Sequence, residues 1–142
     1  MAFGFYFRKK GNKYGNKKVE YDGLVFDSKK EKERYVVLKD AETKGLISNL
    51  KTQVKYQLIP AIREEYIEQL KTKERIKERT IQKAITYTCD FQYVKDGQTI
   101  VEDVKASPKA ASLDKVFMLK EKLFRYVYGF SIKRVYKPNE LI

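Results

Sequence analysis

Asp90 and Asp103 flank an Asp-Gly pair in the stretch DFQYVKDGQTIVEDVK, residues 90–105. Asp-Gly between two runs of alternating apolar residues is the strongest short-range sign of a β-hairpin with a two-residue turn. With Asp96 and Gly97 at the tip, Lys95 faces Gln98, Tyr93 faces Ile100, Phe91 faces Glu102, and Asp90 faces Asp103. Facing Cβ atoms on one side of a sheet lie roughly 4.5–5.5 Å apart, so two carboxylates placed this way repel and destabilise the pairing. Alternation along the second strand puts Lys105 on the face of Asp103 and turns Glu102 and Val104 to the other. A hard divalent cation resolves the conflict. Mg²⁺ takes oxygen donors, commonly one or two protein carboxylates, and leaves its other positions to water and substrate phosphate. The facing acids then read as a metal-ligand set.

Composition limits the alternatives. The single cysteine, Cys89, excludes an internal disulfide and a cysteine-rich zinc site, and the absence of histidine excludes every mechanism that needs an imidazole. Chemistry must use carboxylates, lysines, hydroxyls and a hard metal. Lys plus Arg number 31 against 19 Asp plus Glu, and the resulting +12 is the balance of a protein that meets a polyanion, with nucleic acid first. No stretch approaches the roughly 20 apolar residues of a spanning helix, and MAFGFYFRKK is too short for a signal peptide, so no membrane is expected and a cytoplasmic setting is. At 142 residues, 42% of them apolar, the chain is expected to form one domain with a real core.

Residues 1–18, containing RKKGNKYGNKK, read as a basic arm, with Arg8, Lys9, Lys10, Lys13, Lys17 and Lys18 as candidate phosphate contacts. Residues 19–142 form the domain. VEYDGLVF is a second, smaller Asp-Gly hairpin. Ser28 followed by Glu31 is a capping-box pattern, and Gly45 is a left-handed stop, which predicts a helix over about 29–44. On it Glu31 shares the stripe of Tyr35 and Leu38, so an acid is aimed toward the core side when it is not simply completing the cap. QVKYQLIP predicts a strand ended by Pro60. The segment at about 63–83 carries seven basic residues against five glutamates, with apolar positions too sparse for either period, and reads as an exposed charged insert, helical or extended. AITYTCDFQYV and TIVEDVK supply the central hairpin. A second helix opens at Ser107-Pro108 or Ser112 and closes at Gly129, with Val116, Leu119, Leu123 and Val127 as its apolar stripe and Lys115 and Lys122 as further nucleic-acid contacts. FSIKRVY is the last strand. The order helix, strand, strand, strand, helix, strand implies an α/β fold with a mixed sheet between helices.

An acid-x-Lys triplet is weak by itself, because DSK at 27–29 and ETK at 42–44 also occur. DVK at 103–105 differs in its strand setting, in the facing Asp90, and in the upstream helix that carries Glu31. With that order of elements, the pattern Asp90…Asp103-x-Lys105 resembles the PD-(D/E)XK nuclease superfamily over roughly residues 19–136. FDSKKEKERY, AITYTCDFQYV, IVEDVKAS and KEKLFRYVYG are similar to a phage-borne family of small nuclease-like proteins within it. Cys89 stands where the superfamily's name implies a proline, and the 63–83 insert is long for the family.

The resemblance implies a restriction-endonuclease-like core, a mixed four-stranded sheet flanked by helices in the order α-β-β-β-α-β, and metal-dependent hydrolysis of a phosphodiester. By that analogy Asp90, Asp103 and the Val104 carbonyl bind Mg²⁺, with Mn²⁺ as a substitute. Lys105 positions or deprotonates the attacking water, and Glu31 holds a second metal or its water. The preferred expectation is a homodimeric endonuclease acting on branched DNA, similar to Holliday-junction resolvases, in a bacterial host cell. The alternatives are a non-catalytic nucleic-acid-binding module on the same scaffold, or an end-nicking nuclease that requires a partner protein.

Overall fold

A computed structural model of the chain describes residues 17–142. Most of the expected basic arm, including Arg8, Lys9, Lys10 and Lys13, lies outside the described residues.

Both Asp-Gly pairs form turns. β1 (Val19–Tyr21) and β2 (Leu24–Phe26) pair antiparallel across Asp22-Gly23, and β8 (Phe91–Lys95) pairs with β9 (Gln98–Val104) across Asp96-Gly97. All four turn residues have positive φ, between 49° and 75°, as a hairpin turn with two left-handed positions demands. The β8–β9 register is the one expected, from Lys95 opposite Gln98 to Phe91 opposite Glu102.

Helix α1 (Lys29–Thr43) starts where its cap predicts: the Ser28 hydroxyl accepts the Glu31 N–H. It buries Arg34, Tyr35, Leu38 and Ala41. β3 (Ser48–Thr52) follows and pairs antiparallel with β8, and β10 (Lys133–Val135) pairs parallel with β9. The result is a mixed four-stranded sheet in the order β10-β9-β8-β3 within an α/β fold.

The third strand expected from QVKYQLIP forms, as β4 (Lys55–Ile59), but in another layer. It pairs with β7 (Ile85–Thr88) in a separate two-stranded ladder, and β3 takes its expected place in the main sheet. AITYTCDFQYV is accordingly two strands, broken at Cys89 and Asp90. The charged insert is extended: β5 (Ile62–Gln69) and β6 (Glu74–Gln82) make a two-stranded hairpin whose cations are largely answered within it, Arg63 by Glu78, Arg79 by Glu64, and Arg75 and Lys77 by Glu68.

The expected second helix is also two. α2 (Pro108–Leu113) is capped by Ser107, and α3 (Lys115–Tyr128) by Asp114, which interrupts the run. Of the expected stripe on α3 only Leu123 packs against the core, partly buried. Val116 and Leu119 are 64% and 59% exposed, whereas Phe117 and Phe124 are buried. Apolar residues cover a wide arc of this helix, and the two phenylalanines bury more surface than the aliphatic residues beside them. The Phe124 ring meets Tyr56, Tyr87, Tyr128 and Phe130 at centroid distances of 5.0, 5.8, 4.9 and 5.1 Å.

The main sheet therefore has a core on each face. Phe26, Tyr35, Leu38, Phe91 and Tyr93 pack under α1, and Leu58, Tyr87, Cys89, Val101, Phe117 and Phe124 pack under α3. Alternation decides which acid meets which helix. Glu102 belongs to the α1 face, and Asp103 to the α3 face.

Candidate active site

The break between β7 and β8 builds the site. Up to Phe91 the strand follows β9, while from Thr88 backward it follows β4. Asp90 stands at the change of partner: its N–H donates to the Glu102 carbonyl at 3.2 Å, and its own carbonyl accepts the Gln53 N–H at 3.1 Å. The Cys89 N–H already belongs to the Val54 carbonyl, at 2.9 Å. Where the ladder parts, the Val104 N–H loses its strand partner and instead donates to Asp90 Oδ2, at 2.7 Å. A side-chain carboxylate thus stands in for a backbone carbonyl, and this bond brings Asp90 beside the end of β9.

Asp103 is buried on the same side and uses both oxygens. Oδ2 accepts the Tyr87 hydroxyl at 2.8 Å, and Oδ1 pairs with Lys105 Nζ at 2.9 Å. The Lys105 ammonium lies over the Phe117 ring, 3.8 Å from its centroid, with Asp114 Oδ2 3.8 Å away. A lysine so placed is stabilised by the ring's electrons as well as by its carboxylate partners. The ion pair between Lys105 and Asp103 is real, then, and it is mostly withdrawn from solvent.

Glu31 arrives differently from the expectation. α1 packs on the Glu102 face, not over Asp103, so only the first turn of α1 reaches the end of β9; there Lys30 Nζ donates to the Ala106 carbonyl at 2.9 Å. Glu31 completes the capping box, accepting from the Asp27 N–H and the Ser28 hydroxyl, each at 3.1 Å. Its carboxyl is raised above the ordinary range by burial, against the lowering of those hydrogen bonds, and the negative charge of Asp103 adds to the rise. Ser28, Lys29, Lys30, Glu31, Val104, Lys105 and Ala106 line a cleft of about 200 Å³ there. A larger cavity, about 520 Å³, lies at the hairpin's other end, around Leu46 and Asp96, and holds none of the four candidate residues.

The electrostatics single out Asp90. Burial, then the charges of Asp103 and Glu31, push its carboxyl up to about 8, while the Val104 amide and Lys105 pull the other way. Burial pushes the Cys89 thiol up to about 12, so it is no nucleophile near neutral pH. The Tyr87 hydroxyl is also raised, first by burial and then by Asp103, and acts only as a donor.

Among the described residues no three carboxylates or thiols gather into a complete metal-ligand cluster. The donor set is the pair Asp90 and Asp103, with the Val104 backbone alongside. Two hard carboxylates are the donor type that Mg²⁺ or Mn²⁺ commonly takes from a protein, and the Asp90 carboxyl is raised by burial first and by the charges of Asp103 and Glu31 next.

Of the remaining candidates, Lys17 and Lys18 are exposed ahead of β1, with Lys18 3.6 Å from Asp27. Lys115 and Lys122 are exposed on α3, seven residues and so about 10 Å apart along one face. Lys115 directly follows Asp114, the cap of α3. Glu102, set aside as a charge on the other face, does lie there, but fully buried: Arg34 holds it with two hydrogen bonds of 2.8 and 2.6 Å, and the Tyr93 hydroxyl donates to it at 2.6 Å.

Sequence reasoning missed Tyr87, Asp114, Phe117 and Arg134. Arg134 of β10 stands next to Asp103 in the parallel pair, is gripped by Glu121, and lies 5.5 Å from the Phe117 ring. Only Tyr87 left a signal. It lies on β7 at even spacing from Cys89, on the inward face, where a buried hydroxyl needs an acceptor.

One family model matches the chain, over residues 11–137; its description is "Protein of unknown function (DUF1064)". No curated protein and no solved structure matches.

Proposed function

We propose, for a chain that belongs to this family of unknown function, a metal-dependent endonuclease on a restriction-endonuclease-like core, hydrolysing DNA phosphodiester bonds with branched DNA as the preferred substrate. The observation that carries the reading is the meeting of Asp90, Asp103 and Lys105 at one end of the hairpin, with the Asp90 carboxyl pushed up to about 8 by burial first and by the charges of Asp103 and Glu31 next. Acids so crowded strain the apo protein and are relieved by a cation. The net charge of +12 supplies the attraction to a polyanion, and no described helix is long and apolar enough to cross a membrane.

In this reading Asp90 and Asp103 hold Mg²⁺, or Mn²⁺ in its place, with the Val104 carbonyl as a further donor. The ion, when bound, lowers the pKa of a water and offsets charge developing on the phosphoryl oxygens. Lys105 Nζ, fixed against Asp103 and Phe117, is placed to orient the attacking water and meet the negative charge of the phosphate. Glu31 borders the cleft and adds its charge to the field at Asp90. The 3′ or 5′ leaving oxygen takes its proton from solvent, since no imidazole exists to supply one. A homodimer would let two such sites cut opposed strands of a branch.

The test is a labelled four-way junction and a matched linear duplex, each incubated with the protein in Mg²⁺ and in EDTA, with the oligomer read by sedimentation. Paired Mg²⁺-dependent nicks in the junction support the resolvase-like reading. Cutting of both substrates keeps the nuclease and removes the branch preference. Tight binding without cutting in Mg²⁺ points to a binding module, or to a nuclease that needs a partner protein.

A further inference from the structure

Tyr87 lies on β7, outside the hairpin that carries the acids, yet its side chain ends on one of them. The hydroxyl donates to Asp103 Oδ2 at 2.8 Å, while Lys105 occupies Oδ1 at 2.9 Å. The ring is 4% exposed and packs against Phe117 at a centroid distance of 6.4 Å. Phe117 in turn supports the Lys105 ammonium. Tyr87 and Phe117 thus form an aromatic floor under the Asp103–Lys105 pair, and the only polar atom of that floor is aimed at the acid.

A carboxylate on a strand can rotate about χ2, a broad and soft torsion. Lys105 alone does not fix it, because a flexible four-carbon stem follows wherever the carboxylate turns. Tyr87 can fix it. Its ring is locked by the α3 core, and its hydroxyl hydrogen bond selects which Asp103 oxygen points down and which remains with Lys105 at the cleft. Hydrogen bonds from outside the ligand set are what orient metal-binding carboxylates in general.

We infer that Tyr87 is a positioning residue for Asp103, and through it for Lys105, setting the orientation in which the acid receives a divalent cation. The inference rests on the nuclease reading above. The same sheet provides an internal comparison: Tyr93 donates to Glu102 Oε1 at 2.6 Å, equally buried, on the face away from the site.

The experiment compares wild type, Tyr87→Phe and Tyr93→Phe. Each variant loses one hydroxyl and keeps the ring that fills the core. Mg²⁺-dependent cleavage is measured as kcat and KM over a range of Mg²⁺, DNA binding in EDTA, Mn²⁺ affinity by calorimetry, and melting temperature. Tyr87→Phe is expected to raise the half-saturating Mg²⁺ and weaken Mn²⁺ binding by about 10- to 100-fold, the usual range for such outer partners. Its DNA affinity in EDTA stays unchanged, and excess metal restores part of the rate. Tyr93→Phe lowers the melting temperature without moving the metal dependence. If Tyr87→Phe instead matches Tyr93→Phe, melting lower with an unaltered metal midpoint, the residue is only structural and the inference is wrong. A wild type that binds Mn²⁺ tightly but cuts nothing removes the nuclease reading, while the Mn²⁺ affinities of the two variants still decide the role of Tyr87. A wild type that neither cuts nor binds Mn²⁺ removes both.

Discussion

Replacing Asp90 by Asn should stabilise the metal-free protein while ending the proposed cleavage. The Asp90 carboxyl is pushed up to about 8 from an ordinary 3.8, by burial first and by the charges of Asp103 and Glu31 next. Between those two pH values the folded chain keeps a proton that the unfolded chain has released. Stability therefore falls as pH rises across this window and levels off above about 8. At pH 7 the solution is roughly three pH units above the ordinary value, and at about 1.36 kcal/mol for each the wild type forgoes about 4 kcal/mol. Asn carries no charge, yet its amide oxygen can still accept the Val104 N–H that Asp90 Oδ2 accepts at 2.7 Å. For a chain of this size each kcal/mol moves the midpoint by roughly 2–4 °C, so Asp90→Asn should melt about 10 °C above wild type at pH 7 in EDTA. At pH 4 the two should nearly coincide. Mg²⁺ should raise the wild-type midpoint at pH 8, because a ligand that binds only the folded state stabilises it, and should leave the variant unmoved. Thermal denaturation at pH 4, 6 and 8, with EDTA or Mg²⁺, measures all of this. A wild type equally stable at pH 4 and pH 8, or a variant no more stable than wild type at pH 8, would refute the crowded-acid account.

Asp103→Asn should abolish cleavage while leaving DNA affinity intact or increased; unchanged turnover would remove Asp103 from the site. Glu102→Gln should cost about 3–5 kcal/mol in denaturant unfolding, because it leaves the fully buried Arg34 guanidinium without its counter-charge. Arg34→Met combined with Glu102→Leu should recover part of that loss, and failure to recover any would mean the pair is not self-contained. Phe124→Ala should cost about 3–5 kcal/mol, whereas Leu119→Ala on the exposed side of α3 should stay within about 0.5 kcal/mol; the reverse ranking would restore the stripe read from periodicity.

The hairpin was legible because its signal is local. An Asp-Gly turn fixes the register at Lys95 and Gln98, and alternation carries it outward to the Phe91–Glu102 pair without any knowledge of the rest of the chain. The α1 cap was legible for the same reason, since Ser28 and Glu31 satisfy each other within one turn. Partner choice between distant segments was not. Nothing in QVKYQLIP says that it pairs with β7 rather than β8, and Ser48–Thr52, the strand that does pair with β8, has no apolar alternation to announce it. That also hid the break at Asp90, because one long run of β-forming residues reads the same whether it has one partner or two. Asp114 was overlooked as a cap because helix-forming residues flank it on both sides. On α3 periodicity showed a wide apolar arc but not its inward half, which ring size decided. Asp90, Asp103 and Lys105 lie near one another, but Asp90 stands past the end of the paired register rather than opposite Asp103, and Glu31 approaches from the end of the sheet rather than from a helix over that face.

The change of partner at Asp90 gives the site a weak seam. Asp103 lies on β9, which has β8 on one side and pairs Asp103 with Arg134 of β10 on the other, whereas Asp90 lies between strands: its N–H donates to the Glu102 carbonyl, its Oδ2 accepts from Val104 and its carbonyl accepts from Gln53, while the neighbouring Cys89 N–H is tied to Val54 beside a separate ladder of only two strands. Two-stranded ladders open at lower free energy than sheet interiors. On warming, or under a pull on the β5–β6 hairpin that grows out of β4 and β7, the β4–β7 ladder should part first and leave Asp90 held only by its two bonds to β9, while Asp103 and Lys105 keep their places. On the nuclease reading, activity would then decline below the melting temperature, as one carboxylate loosens on a scaffold still folded around the other.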